Sequence, residues 1–179
     1  MPEIEIRPAT AADFQHLLEI DHNGKSEYVW QMDRMIEESQ ITIRFREIRL
    51  PRTIKIDYPF SKDMMLERWK GGAAVLAATL AGIVVGYIAV DEHGVHRTAW
   101  VRDLAIADRH RRQGIASALI LATQDWAAKR GLRRMVIEMH SKNDPAIRLA
   151  LKLGYEFSGY NDQYYSNQDI ALFFCRLLR

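Results

Sequence analysis

The chain has 179 residues, nearly half of them apolar and about a quarter charged, which is the balance of one globular domain with a sizeable core. Its formal net charge of +2 at pH 7 is too small to indicate a nucleic-acid partner. The single cysteine, Cys175, excludes an internal disulfide and suits a reducing cytoplasm. Because its neighbours are apolar, we interpret Cys175 as a core residue, not a nucleophile.

Two stretches bear on targeting and on membranes. Residues 1–5 lack the basic-then-apolar pattern of a signal peptide. Residues 73–90 are the most apolar stretch, but Gly82 and Gly86 interrupt it and β-branched residues are frequent, so it predicts two strands and not a membrane span. We therefore expect a cytoplasmic protein without membrane contact, folded as a single domain over residues 1–179.

The first forty residues predict one strand and two helices. Residues 4–7 alternate between apolar and polar side chains, as a strand does. Thr10 is placed to cap a helix that runs to about residue 20. A second helix is predicted over residues 26–38, because apolar residues recur there at helical spacing. These residues are Tyr28, Met32, Met35 and Ile36.

The next segment predicts a β-hairpin. Residues 41–46 and 54–58 alternate, and Pro51–Arg52 between them is a turn signal. The polar face of this hairpin is basic, which we interpret as a solvated surface, with a phosphate-bearing partner as the alternative. Homodimerisation through the hairpin is also left open. Ser61 is then placed to cap a short helix that ends near Trp69.

The second half of the chain predicts a sheet with two more helices, so the fold class is α+β (α/β). The strands are expected at residues 73–80, 83–91, 98–106, 135–139, 164–165 and 170–177, and the helices at residues 114–129 and 145–153.

Residues 104–117 are the most informative segment, because a strand ends there, a basic loop follows and a helix begins. Backbone N–H groups at a helix start lack intrahelical partners, and the helix dipole favours anions there. Gly114 and Ala116 leave room for a diphosphate to approach the backbone, and Arg111 and Arg112 supply positive charge. By themselves these residues also fit a basic loop before an ordinary helix. The spacing Arg111-x-x-Gly114-x-Ala116 resembles the Q/R-x-x-G-x-G/A motif of the GNAT superfamily, and this resemblance favours a diphosphate loop.

A second pattern follows in the order strand, Asn143-x-x-Ala146, helix, Gly154–Tyr155. Together the two patterns resemble the GNAT superfamily of acetyl-CoA-dependent N-acetyltransferases, over roughly residues 73–177. The resemblance implies a central mixed, mostly antiparallel twisted sheet flanked by helices and splayed at the cofactor slot.

The same resemblance implies which residues bind acetyl-CoA, and it implies no metal. The backbone of Leu104, Ala105 and Ile106 would hold the pantetheine arm, and Asn143 would contact the cofactor. Besides the charge of Arg111, the diphosphate would rest on Arg112, Gln113, Gly114, Ile115, Ala116 and Ser117.

Attack by a neutral amine on a thioester requires a proton acceptor. Glu138 is the first candidate, because it aligns with the glutamate of the L-E-V-R strand in acetyltransferases that modify ribosomal-protein N-termini. A solvent-facing or ion-paired strand glutamate is the alternative. Asp103 is the second candidate, although strand alternation places it on the face opposite Leu104. The segment 91–93 is the third.

This chain differs from many members of the GNAT superfamily in the proton donor. Many members have a tyrosine that protonates the departing thiolate where this chain has Ala150. Tyr164 or Tyr165 is the candidate substitute, unless the thiolate leaves unassisted.

The acceptor remains open between two classes. Residues 164–174 and 101–106 resemble streptothricin acetyltransferases, which favours a small-molecule amine. Glu138 and the tyrosine pair favour a protein N-terminal or lysine acetyltransferase, whereas Ala150 counts against that class and leaves room for a non-catalytic acyl-CoA-binding sensor. His93 and His96 have no third ligand at zinc-like spacing, so no metal site is predicted.

Overall fold

The computed structural model describes residues 3–178. Outside the described residues lie Met1 and Pro2, which belong to the segment 1–5 that lacks the pattern of a signal peptide. In chain order the elements are β1 (Ile4–Pro8), α1 (Ala11–Glu19), β2 (Gly24–Ile36), β3 (Ile41–Ile56), α2 (Lys62–Lys70), β4 (Ala74–Leu80), β5 (Ile83–His93), β6 (Thr98–Ile106), α3 (Ile115–Lys129), β7 (Arg134–His140), α4 (Asp144–Lys152), β8 (Glu156–Asn161) and β9 (Ala171–Leu177).

Seven of these strands form one sheet in the order β1-β4-β5-β6-β7-β9-β8, and β2 pairs with β3 in a separate two-stranded sheet. Every neighbouring pair in the large sheet is antiparallel except β6 and β7, which are parallel. The predicted mixed, mostly antiparallel sheet flanked by helices is confirmed.

The pairing of β6 with β7 stops early. Its register covers only residues 98–101 against residues 134–137, although β6 continues to Ile106 and β7 to His140. On its other side β6 shifts register against β5: Val101 and Asp103 each pair with a residue of β5, whereas Arg102 between them is opposite no residue of that strand. A bulge of this kind bends a strand and re-aims its side chains. The two strands therefore diverge at the middle of the sheet.

Apolar side chains fill both faces of the sheet. On one face, α3 and α4 contribute Leu119 and Ile147 to a cluster with Val101 and Ile137 of the diverging strands. On the other face, α1 and α2 contribute a second cluster around Tyr87, which is fully buried. Burying one such side chain stabilises the fold by about 1.5–3 kcal/mol. None of the α-helices between residues 3 and 178 has the length and apolarity to cross a membrane.

The helix predicted over residues 26–38 is wrong, because this segment lies in strand β2. Its apolar spacing fits a helix, but long-range pairing decides otherwise: β2 matches β3 from Gly24 to Ile36. The strand is also held to the sheet, since the Trp30 N–H donates to the Ser141 carbonyl at 2.9 Å and the Trp30 indole donates to Asp144 at 3.0 Å. Tertiary contacts outweigh local propensity at this segment.

The predicted hairpin turn at Pro51–Arg52 is also wrong, because β3 runs unbroken through it. Ser26 pairs with Ile54 and Tyr28 pairs with Arg49, so the residues between 49 and 54 bulge opposite a single residue of β2. A proline is tolerated at such a bulge, since no ladder N–H is needed there.

Two smaller expectations need correction. Tyr164 and Tyr165 lie in the loop between β8 and β9 and not in a strand, and both of their N–H groups donate to the Asp169 carbonyl. Cys175 is only half-buried, although it lies in β9 as part of an apolar run. Burial raises the pKa of its thiol.

Candidate active site

The basic loop after β6 leads directly into the N-terminus of α3. Gly114 occupies the N-cap with φ +85°, a left-handed conformation that favours glycine, and no side chain caps the helix. A Cβ at Gly114 would meet no heavy atom within 4 Å, so the space before the helix is open. The first N–H groups of this fifteen-residue helix are thus available to an anion, as the resemblance to a diphosphate loop requires.

The two loop arginines that were predicted to supply charge to a diphosphate are placed differently. The Nε of Arg111 donates to the Ile106 carbonyl at 2.9 Å, and its NH2 group donates to the Asp21 carbonyl at 2.7 Å. Arg111 therefore fastens the loop to the end of β6 and to the segment after α1. Arg112 is exposed, and its φ of +60° belongs to the turn that brings the chain to Gly114.

A cavity opens where β6 and β7 diverge. Leu104 of β6 lines it, as do Glu138 and His140 of β7. Asn143 also lines the cavity, and its side-chain oxygen accepts from the Ala146 N–H at 3.3 Å, so it caps α4. Leu104 and Asn143, two of the residues that the sequence assigned to the cofactor, thus line one opening, whereas Ala105 and Ile106 do not line it.

Glu138 lies at the mouth of this cavity with its side chain 3% exposed. Its Oε2 accepts three hydrogen bonds, from the Trp100 indole at 2.8 Å, the Tyr164 hydroxyl at 3.2 Å and Arg102 at 3.3 Å. Among residues 3–178, no hydrogen bond to Oε1 is found. The structure therefore joins two of the three predicted catalytic residues, Glu138 and Tyr164, and leaves one carboxylate oxygen for a further donor.

Asp103, the other predicted catalytic residue, is 1% exposed and held by α2. One nitrogen of Arg68 donates to both of its oxygens, at 2.8 and 2.9 Å. Burial, assisted by the charge of Glu138, raises the pKa of Asp103 to about 7, whereas the Arg68 hydrogen bonds favour the ionised form. As strand alternation predicted, Asp103 lies on the α2 face, while Leu104 packs against the cluster on the α3 face.

Three contributors to the site were not predicted. Arg102 bridges Asp91 at 3.0 Å to Glu138, and it lies 5.6 Å over the Trp100 ring. Arg68 reaches the site from a helix far away in sequence. Arg102 and Trp100 stand two residues apart on β6, so strand periodicity alone would have placed them on one face. No sequence signal pointed to Arg68, because only the packing of α2 brings it there.

Of the third candidate segment, only part reaches this site. Asp91 bonds Arg102, whereas Glu92 pairs with Arg130, and His93 packs on Trp100 with ring centroids 5.7 Å apart. Within residues 3–178, no group of three or more His, Cys, Asp or Glu side chains is placed to hold a metal ion. Ala150, where the resembled family often has a tyrosine, is buried in the core.

The sequence model of the Acetyltransferase (GNAT) family matches residues 36–155, which include both the α3 loop and the Asn143 cap. The chain belongs to this family. A phosphinothricin N-acetyltransferase of Streptomyces viridochromogenes is 30% identical over 87% of this chain and 76% of its own length. A streptothricin acetyltransferase of Streptomyces lavendulae is 29% identical, but the match spans only 47% of this chain and 44% of that relative, less than half of each.

Two solved structures show the same fold as this GNAT domain. A nourseothricin acetyltransferase superposes with a TM-score of 0.83 at 20% identity, covering 98% of this chain and 99% of that one. A Bacillus anthracis protein described as a possible streptothricin acetyltransferase, solved with acetyl coenzyme A, gives a TM-score of 0.77 at 16% identity, with the same coverage.

Proposed function

We propose that this protein is an N-acetyltransferase that moves the acetyl group of acetyl-CoA to a primary amine of a small molecule, both substrates being bound together. The observation that carries the proposal is the position of Glu138, which lines the cavity and whose Oε2 is fixed by three donors, while Oε1 accepts no hydrogen bond from residues 3–178. The uncapped N-terminus of α3 follows β6, one of the two strands that border the cavity.

Each part of the site has a task in this reaction. The N–H groups at the start of α3, with Arg112 beside them, bind the diphosphate of acetyl-CoA. The unpaired edge of β6 beyond Val101 offers backbone groups to the pantetheine arm and a donor to the oxyanion that develops during attack. Glu138 holds the ammonium group of the acceptor through Oε1. The ammonium must lose a proton before attack, and Glu138 or another group on this face accepts it.

The charges on this face favour a cationic acceptor. Three carboxyl groups, Asp91, Asp103 and Glu138, share only two guanidinium groups, Arg68 and Arg102. Asp103, whose pKa is about 7, contributes part of a negative charge at neutral pH. Both guanidinium groups already pair with these carboxylates, so neither is set aside for an acceptor carboxylate. An amine with further positive charges, as in streptothricin-type antibiotics, suits this surface better than an α-amino acid does.

The test is thiol release from acetyl-CoA with a panel of acceptors: streptothricins, polyamines, phosphinothricin, amino acids and N-terminal peptides. Acetylation of a polycationic small molecule is expected, with kcat/KM well above the values for zwitterionic amino acids. Turnover only with peptides would replace the small-molecule assignment by a protein acetyltransferase. Tight acetyl-CoA binding without thiol release for any acceptor would favour an acyl-CoA sensor.

A further inference from the structure

His140 is the last residue of β7 and lies two residues after Glu138, on the same face of the sheet. It lines the cavity between β6 and β7 together with Glu138. Its side chain is 7% exposed. The ring nevertheless meets the same opening that receives the reacting groups in the proposed function.

Neither ring nitrogen of His140 has a hydrogen-bond partner among residues 3–178. Buried polar groups are normally paired, so an unpaired imidazole at a cavity wall indicates a site for a ligand atom. The other histidine of this cavity differs in this respect, because the Nε2 of His22 lies 2.8 Å from the Tyr87 hydroxyl. Of these two imidazoles, His140 is the one left for an incoming group.

The orientation of the His140 ring is set from two sides. Tyr165 stacks on it, with ring centroids 3.8 Å apart and an interplanar angle of 12°. The Nδ1 atom lies 3.5 Å from Oδ2 of Asp169, which is itself bonded to Lys142. A carboxylate beside Nδ1 favours the tautomer with its proton on Nδ1, which leaves a lone pair on Nε2.

Burial lowers the pKa of His140, and Lys142 lowers it further, while Asp169 opposes both effects. The imidazole is therefore mainly neutral at neutral pH. Glu138, on the same strand, and Tyr165, stacked on the ring, are the other titratable groups next to it.

We propose that His140, positioned by Asp169, is the catalytic proton acceptor for the amine that Glu138 holds. This inference rests on the proposed function. Glu138 already accepts three hydrogen bonds on Oε2 and is arranged to hold a cation, whereas His140 presents an unpaired nitrogen. The assignment divides binding and proton transfer between two residues of one strand.

The proton balance of the step accounts for the buried Ala150. Nε2 of His140 takes one proton from the acceptor ammonium, and the neutral amine forms the new N–C bond to the acetyl carbon. As the C–S bond breaks, the imidazolium returns that proton to the thiolate of CoA, while the new amide nitrogen releases its extra proton to solvent. One proton is released in total, and no separate tyrosine acid at Ala150 is needed.

The kinetic test uses the acceptor that the wild-type protein acetylates. His140→Gln should lower kcat roughly 100-fold or more, the usual size of a general-base contribution, with unchanged acetyl-CoA affinity. His16→Gln, an exposed change of the same type on α1, should have no effect. Wild-type turnover together with an active His140→Gln enzyme would overturn this role and leave the proposed function intact. A wild-type protein that acetylates no amine would overturn both.

The pH profile separates proton transfer from a structural role. With His140 as base, kcat/KM falls as pH drops through its lowered pKa. Asp169→Asn should move this acidic limb to lower pH, and Lys142→Met should move it to higher pH, because the two charges act on the imidazole with opposite sign. Nitrogen-15 NMR of the acetyl-CoA complex should show a neutral, Nδ1-protonated ring at pH 7. An imidazolium, an Nε2-protonated ring or an unmoved limb in both variants would overturn the proposal.

Discussion

Trp100 and Glu138 join the two strands just where their pairing ends, since the Trp100 Nε1–H donates to Glu138 Oε2 at 2.8 Å. The last residues paired between these strands are Val101 and Ile137, so Glu138 is the first residue of β7 without a cross-strand neighbour on β6. The indole therefore fixes the carboxylate at the mouth of the cavity, and its direction does not depend on a bound substrate.

Glu138→Gln should lower kcat/KM for a cationic acceptor about 10- to 100-fold, because a hydrogen bond to a charged group contributes about 1.5–3 kcal/mol. Acetyl-CoA affinity should stay at the wild-type value. Steady-state kinetics and calorimetric titration with acetyl-CoA measure the two effects. The exposed Glu19→Gln is the matched control. Wild-type kcat/KM in Glu138→Gln would remove the carboxylate from the acceptor site.

Arg68→Met should lower the free energy of unfolding by about 3 kcal/mol or more at pH 8, because it leaves the buried Asp103 carboxylate without its partner. The pKa of Asp103 is about 7 in the folded protein, well above the 3.8 that is ordinary for an aspartate. A raised carboxyl pKa means that ionisation destabilises the fold, so the free energy of unfolding of wild type and variant should fall alike as pH rises from about 4 to 7. Without Arg68 the pKa of Asp103 rises further, so the additional loss in the variant should grow above pH 7. Denaturant unfolding at several pH values measures it.

Adding Asp103→Asn to Arg68→Met should remove most of that pH dependence, since no charge is then buried. A pH-independent stability of the single variant Arg68→Met would show that Asp103 is not the group concerned.

Arg112→Glu should weaken acetyl-CoA binding about tenfold or more, because it reverses charge beside the open N-terminus of α3. The effect should shrink at high salt, since the side chain is exposed. Arg133→Glu makes the same charge change at an exposed position before β7 and should leave the dissociation constant unchanged. Equal weakening in both variants would indicate a general charge effect and not a diphosphate loop.

Gly86→Ala should disturb the strand that we assign to pantetheine. A Cβ at Gly86 would lie 2.5 Å from Ile106 Cδ1 and 2.9 Å from the Ala105 carbonyl oxygen, and the second contact is with backbone that cannot rotate away. We expect overpacking to destabilise the fold by about 1–3 kcal/mol and to weaken acetyl-CoA binding. At Gly94 a Cβ would meet nothing within 4 Å, so Gly94→Ala should bind acetyl-CoA like wild type.

Local patterns decided a large part of this fold. Apolar and alternating stretches predicted β4, β5, β6, β7 and β9, whereas β8 was not predicted. The Gly114 loop before an amphipathic helix indicated the family because its geometry is set within a few residues. Glu138 and Asn143 were also found locally, as they lie at fixed distances from these elements. The outcome agrees with the family match over residues 36–155.

Segments whose structure depends on distant partners were misread. Residues 26–38 have helical spacing, yet pairing with β3 and two hydrogen bonds from Trp30 make them a strand. Pro51 indicated a turn but lies in a bulge on an otherwise continuous strand. Strand pairing of this kind is stabilised by residues that are remote in sequence. The periodicity of a short segment therefore cannot predict it.

The sequence by itself determined the family and the strand that bears Glu138, since each depends on neighbours within one element. Only the tertiary structure decided what surrounds that carboxylate. Arg68 comes from α2, Tyr164 from the loop after β8, and Asp169 from the segment that reaches His140. Hydrogen bonds and ion pairs act over a few ångströms, so these contacts exist only after packing has brought four separate parts of the chain to the gap between β6 and β7.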